Sequence, residues 1–102
     1  MTYLYVSYVT STYSIVNTDY YIEASGTFDI NLPTAVGITG SSFQVKNTGT
    51  GVITIQATAS QLIDNLPSFT LAFYDTLNIE SNGSNWLVAN PQTKRFIRVY
   101  NS

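Results

Sequence analysis

A chain of 102 residues fits one domain with one modest core, since at this size folding hides only about two-thirds of the surface that the unfolded chain exposes. Charged residues make up 10% of it, against about 25% in an ordinary soluble domain, and the net charge of -2 gives no field to steer nucleic acid or an anionic membrane. With no Cys and no His, disulfides, thiolate chemistry, Ser-His-Asp and Cys-His catalysis, and zinc sites built on imidazole or thiolate are all excluded.

The chain opens on Thr2 to Val9, where both faces of an alternating segment are apolar or aromatic: Leu4, Val6 and Tyr8 on one, Tyr3, Tyr5 and Val9 on the other. Six of the eight tyrosines fall in the first 21 residues. In a two-layer sandwich only one face of a strand is buried, so the second is a bare apolar surface. Two readings stand. A neighbouring subunit covers that face, making residues 1–11 an attachment or intersubunit strand with Tyr3, Tyr5 and Tyr8 as its contacts; or high strand propensity explains the residues and the segment lies under a loop.

Further on, Phe28, Ile30 and Leu32 alternate with Thr27, Asp29 and Asn31, as in a half-buried strand. Phe43 and Val45, then Ile53, Ile55 and Ala57, then Phe69, Leu71 and Phe73, then Leu77 and Ile79, repeat the pattern. The breaks have turn chemistry: Pro33 to Gly37, Asn47 to Gly51, Asn65-Leu66-Pro67, Tyr74-Asp75 and Asn82-Gly83. The run Phe43 to Ile55 reads as two strands joined by a turn, and Asn82-Gly83 as a type I′ hairpin. The expected fold is all-β, an antiparallel, jelly-roll-like β-sandwich of about eight to ten short strands forming a single domain over residues 1–102. Trp86 reads either as a core anchor with its indole N–H bonded to a loop carbonyl or as a ring for stacking on a sugar.

At the far end Lys94, Arg95 and Arg98 are three of the four cations, interleaved with Phe96, Ile97, Val99 and Tyr100. Residues 94–102 form either a final strand with a solvated face or a docking strand for an acidic partner; three charges are too weak a phosphate contact to make a nucleic-acid motif.

Without His or Cys, enzyme chemistry would rest on the six carboxylates, Asp19, Glu23, Asp29, Asp64, Asp75 and Glu80. Nothing in their spacing marks a catalytic pair. Asp64, Asn65 and Asp75 lie in turns, where such side chains bond their own backbone more readily than calcium. Gly49 and Gly51 precede no helix, so they make no phosphate loop. The reading is therefore a non-enzyme with no catalytic residue, no cofactor and no metal. No window approaches the about 18 apolar residues of a membrane span, and no secretory signal opens the chain. Thr, Ser and Asn together supply 34 residues, a hydroxyl and amide surface that suits contact between copies without the desolvation cost of buried charge.

The order Asp19-Tyr20-Tyr21-Ile22, Gly26-Thr27-Phe28-Asp29-Ile30-Asn31-Leu32-Pro33, Gly40 with Val45-Lys46-Asn47-Thr48-Gly49-Thr50-Gly51, Ile63-Asp64, and Ser81-Asn82-Gly83-Ser84-Asn85-Trp86 resembles the β-rich modules of bacteriophage tail-fibre, tail-spike and head-fibre proteins. The resemblance implies a virion structural protein, commonly a trimer, in contact with other virion proteins and often with host-surface glycans. It implies no catalytic residue. From Met1 to Ser102 the sequence is short for a fibre or spike, which favours a free-standing decoration or minor capsid protein. The competing reading is a small carbohydrate-binding module using Tyr74 or Trp86.

Overall fold

The alternating segments do form strands, each burying one face. The computed structural model describes residues 6–90 and contains no helix there. Its nine strands are β1 (Val6–Val9), β2 (Tyr13–Ser14), β3 (Tyr21–Ala24), β4 (Phe28–Asn31), β5 (Ser42–Asn47), β6 (Ile53–Gln56), β7 (Ser68–Leu71), β8 (Thr76–Ser81) and β9 (Trp86–Val88). Five make one sheet in the order β1-β3-β5-β8-β9, and four make a second, β2-β4-β6-β7. Ile22, Val45, Leu77, Ile79 and Trp86 from the first meet Ile30, Ile53, Ile55 and Leu71 from the second in one buried cluster. Each such side chain contributes about 1.5–3 kcal/mol relative to exposure. The described residues thus form an all-β sandwich of nine strands.

The expected antiparallel pairing holds for only three of the seven ladders. β5–β8, β6–β7 and β8–β9 are antiparallel, whereas β1–β3, β3–β5, β2–β4 and β4–β6 are parallel. The first six strands alternate between the sheets, so each circuit of the chain lays one strand on each sheet beside its predecessor. This winding replaces the jelly-roll connectivity. Period-2 alternation reports that one face is buried and is blind to the direction of the neighbouring strand.

The segment from Phe43 to Ile55 does hold two strands joined by a turn, β5 and β6, but they lie in different sheets and Thr48–Val52 is a corner between them. That corner stacks on the one before it. Thr48 N–H donates to the Ala24 carbonyl (2.9 Å), and Val52 N–H to Thr27 Oγ1 (3.3 Å). A Cβ on Gly49 would lie 2.5 Å from Ser25 Oγ, and one on Gly51 would run into the Gly26 carbonyl and Thr27 Oγ1. Both glycines serve close approach between stacked corners.

Among the described residues, two polar side chains are buried. Asn47 donates from Nδ2 to the Gly51 and Leu71 carbonyls (2.8 Å each) and accepts from Gly49 N–H at Oδ1 (3.0 Å). Ser81 donates to the Ala35 carbonyl (2.7 Å) and accepts from Gly83 N–H (3.0 Å). The β8–β9 return is a four-residue loop, Asn82–Asn85, in which Gly83 has a φ of 96° and Asn82 is not left-handed. The type I′ expectation gives way because Asn82 Oδ1 accepts from the N–H groups of Ser84 and Asn85 (3.0 and 2.8 Å), so the side chain holds the turn.

Candidate functional site

The two outer faces of the sandwich differ. On the β2-β4-β6-β7 sheet, the register lines up Ser14, Asn31, Gln56 and Ser68 in one row and Asp29, Thr54 and Thr70 in another. That face is hydroxyl, amide and one carboxylate. On the other sheet, the rows are Val6, Tyr21, Gln44 and Asn78, then Tyr8, Glu23, Lys46 and Thr76. Aromatic and apolar groups share that face with amides and charges. A shallow cavity of about 210 Å³ opens at one end of it, between Tyr20, Gln44, Asn78 and Glu80.

Strand β1 borders this face and is the end strand of its sheet. Val6 is 44% and Tyr8 74% exposed, so the second apolar face expected of this segment is open in the described chain. The strand is anchored through Asp19, whose carboxylate accepts from Ser7 Oγ (3.1 Å), Tyr13 Oη (2.7 Å) and Val16 N–H (2.9 Å). The bond to Asp19 is the main cause holding the Tyr13 phenol above its usual pKa, with burial and the Asp19 charge adding to it. Tyr21 is also raised, first by burial, then by Glu23 and Tyr8. Tyr3, Tyr5, Lys94, Arg95 and Arg98 lie outside the described residues.

Tyr74 projects from the β7–β8 turn, 56% exposed, with a backbone φ of 63°. Its ring stacks on Phe73 with centroids 4.4 Å apart and planes 28° apart, and Lys46 Nζ lies 5.1 Å from its centroid. Lys46 is held there by the Tyr74 carbonyl (3.2 Å) and Thr76 Oγ1 (3.1 Å). Phe73, expected on the apolar face of a strand, is 54% exposed because β7 ends at Leu71. Trp86 is fully buried, tilted 49° to Phe43 at 5.8 Å, and no ring face is open for a sugar. The carbonyl expected to accept from its indole N–H is missing: Nε1 has no partner among the described residues.

The turn carboxylates bond backbone. Asp75 Oδ2 accepts from Ala72 N–H (2.9 Å), as the local reading requires, but Asp64 Oδ1 reaches across to Val88 N–H (2.9 Å) in β9. No group of three or more carboxylates that could hold a metal ion occurs among the described residues. Tyr8 lies beside Glu23 and then Lys46, with Tyr21 and Gln44 in the adjoining row that starts at Val6, a grouping that the sequence alone does not reveal. Their alternation signals an outward face, but only the parallel register places them side by side.

Compared with protein-family models, with curated proteins and with solved structures, the chain matches none.

Proposed function

We propose that this chain is a non-enzymatic structural component of a bacteriophage particle, a capsid decoration, head-fibre or tail-fibre/spike protein acting through self-association and docking on other virion proteins. The observation that carries the assembly half is strand β1. Its four residues, Val6–Val9, include no Lys, Pro or Gly, the devices that normally blunt a sheet edge, and two of its side chains stand open. The opposite edges are treated differently. β7 is preceded by Pro67, and β9 is only three residues long. A neighbouring copy on β1 would cover apolar surface that a chain of this size cannot cover itself, and association would stabilise the fold by mass action. The virion half is supported by the resemblance of the ordered phrases from Asp19 to Trp86. A trimer exposed on the particle, with residues 94–102 as a second docking element, completes the reading.

Light scattering after gel filtration, across a concentration series, tests it. The expected mass is three times the chain mass of 11.2 kDa. Tyr8→Lys, which places a charge on the open edge, should shift the species toward the monomer and lower the melting temperature only by the concentration-dependent part that association supplies. A wild-type monomer at every concentration would overturn self-association in solution.

A carbohydrate-binding module is the second reading. It is favoured by the stacked Phe73–Tyr74 pair, both more than half exposed, with the Lys46 ammonium alongside, since exposed aromatic surface beside a hydrogen-bond donor suits a sugar ring.

A further inference from the structure

We infer that the cleft between the Ile63–Leu66 turn and the Asn82–Asn85 loop binds a neutral saccharide unit. The inference builds on the saccharide reading and moves its site away from the Phe73–Tyr74 pair. The cleft is open to solvent and spans about 460 Å³ between Leu62, Asp64, Asn65, Asn82, Asn85 and Leu87, with the buried Trp86 behind them. That volume lies within the range of roughly 300–1,000 Å³ usual for small-molecule sites.

Its walls are fixed before any ligand arrives. Ile63 and Leu66 exchange backbone bonds (2.6 and 2.9 Å), Asp64 N–H donates to the Trp86 carbonyl (3.0 Å), and Trp86 N–H to the Leu62 carbonyl (2.9 Å). The polar side chains then spend their acceptors on backbone. Asn85 Oδ1 takes Leu62 N–H (2.8 Å), Asn82 Oδ1 takes two N–H groups of its own loop, and Asp64 Oδ1 takes Val88 N–H. Left over among the described residues are the Nδ2 groups of Asn82 and Asn85, the second oxygen of Asp64, and the whole amide of the exposed Asn65.

This remainder selects a ligand class. An anion would face the Asp64 carboxylate, and a cation would find one carboxylate among amide protons. A hydroxyl both donates and accepts, so adjacent hydroxyls satisfy amide N–H groups and the carboxylate oxygen together. Leu87, 47% exposed, and Leu62 offer apolar surface to the C–H face of a pyranose. Asp64, Asn82 and Asn85, already held through their bonded oxygens, lose little rotamer freedom on binding.

The test is a proton–nitrogen NMR titration of the full chain with the methyl glycosides of glucose, galactose, N-acetylglucosamine and rhamnose. Each is carried to about 50 mM, which covers a millimolar dissociation constant. At least one should shift the side-chain amide signals of Asn65, Asn82 and Asn85 saturably. Asn65→Gly removes an amide and keeps the backbone φ of 69° comfortable. Asp64→Asn keeps an oxygen for Val88 N–H and removes the free acceptor. Each should weaken binding about tenfold, the effect of one good hydrogen bond, with the rest of the spectrum unchanged. Cleft shifts that neither variant weakens overturn the inference. Shifts confined to Phe73 and Tyr74 overturn the site but leave the saccharide reading standing, and no shift with any of the four glycosides overturns both.

Discussion

Replacing Asn47 by Ala tests whether the stacked corners depend on one buried amide. Asn47 is fully buried at the end of β5, and its side chain makes three hydrogen bonds, to the carbonyls of Gly51 and Leu71 and from Gly49 N–H. At about 1 kcal/mol net for each bond, the truncation should cost about 3 kcal/mol. The carbonyl of the buried Leu71 loses a partner that water cannot easily replace, which pushes the cost upward. Against a typical total of 5–15 kcal/mol for a domain, this is a large fraction, equivalent to roughly 12–24 °C in Tm. Urea unfolding followed by the fluorescence of the single tryptophan measures it, and an unchanged m-value shows that the unfolded state is unaltered. Asn47→Asp adds a sign. Its carboxylate would face two carbonyl oxygens, so its folded pKa rises above the ordinary value of about 3.9. The native state then binds protons more tightly than the unfolded one. The stability gap to the wild type is smallest below pH 4 and widens as pH rises above it. A loss below about 1 kcal/mol for Asn47→Ala, or an Asn47→Asp gap that ignores pH, would refute the reasoning.

Gly51→Ala should destabilise by about 1–3 kcal/mol, because the added methyl runs into the Gly26 carbonyl and Thr27 Oγ1 of the corner beneath; thermal unfolding at or above the wild-type Tm would show that the corners do not stack so closely. Tyr13 should ionise above the ordinary phenol range in an ultraviolet titration, and Asp19→Asn should bring it down. With a folded pKa raised above the unfolded value of 10.0, the Tyr13 contribution to stability is fully present below pH 10 and is lost as pH rises through the folded pKa. Identical titration curves for the two proteins would contradict the Tyr13–Asp19 bond.

Alternation made much of the core legible. Ile30, Val45, Ile53, Ile55, Leu77 and Ile79 were readable as inward residues, and Trp86 as a core anchor, because burying one face of each strand leaves a direct mark on the sequence. Strand direction leaves no such mark. The circuits are also unequal, Val6 aligning with Tyr21 and Tyr21 with Gln44, so the winding produces no fixed sequence period to detect. The glycines of Asn47–Gly51 were visible, but turns and close corner contacts demand the same residue, and the local sequence alone suggested the turn. Phe73 misled because its spacing from Leu71 continues a strand that the Ala72–Asp75 turn cuts short. Of the cleft amides, Asn82 was readable as a turn former and Asn85 was not. Their unspent donors appear only once the loop that uses their oxygens is known.

The corners give the chain two sides with opposite tolerance for change. On one side, successive corners touch through Ser25, Gly49 and Gly51 with no room for a methyl group, so chain length and side-chain size are both set there. On the other, the link from β4 to β5 is long, anchored by the buried Ala35, and rises to an exposed tip at Val36 and Gly37, where nothing lies within 4 Å of an added Cβ. A foreign peptide placed between Val36 and Gly37 would be carried on the roomy side while the crowded side kept the strands in register. The sandwich thus has a built-in polarity, with insertions tolerated at the Val36–Gly37 tip and excluded at the crowded corners.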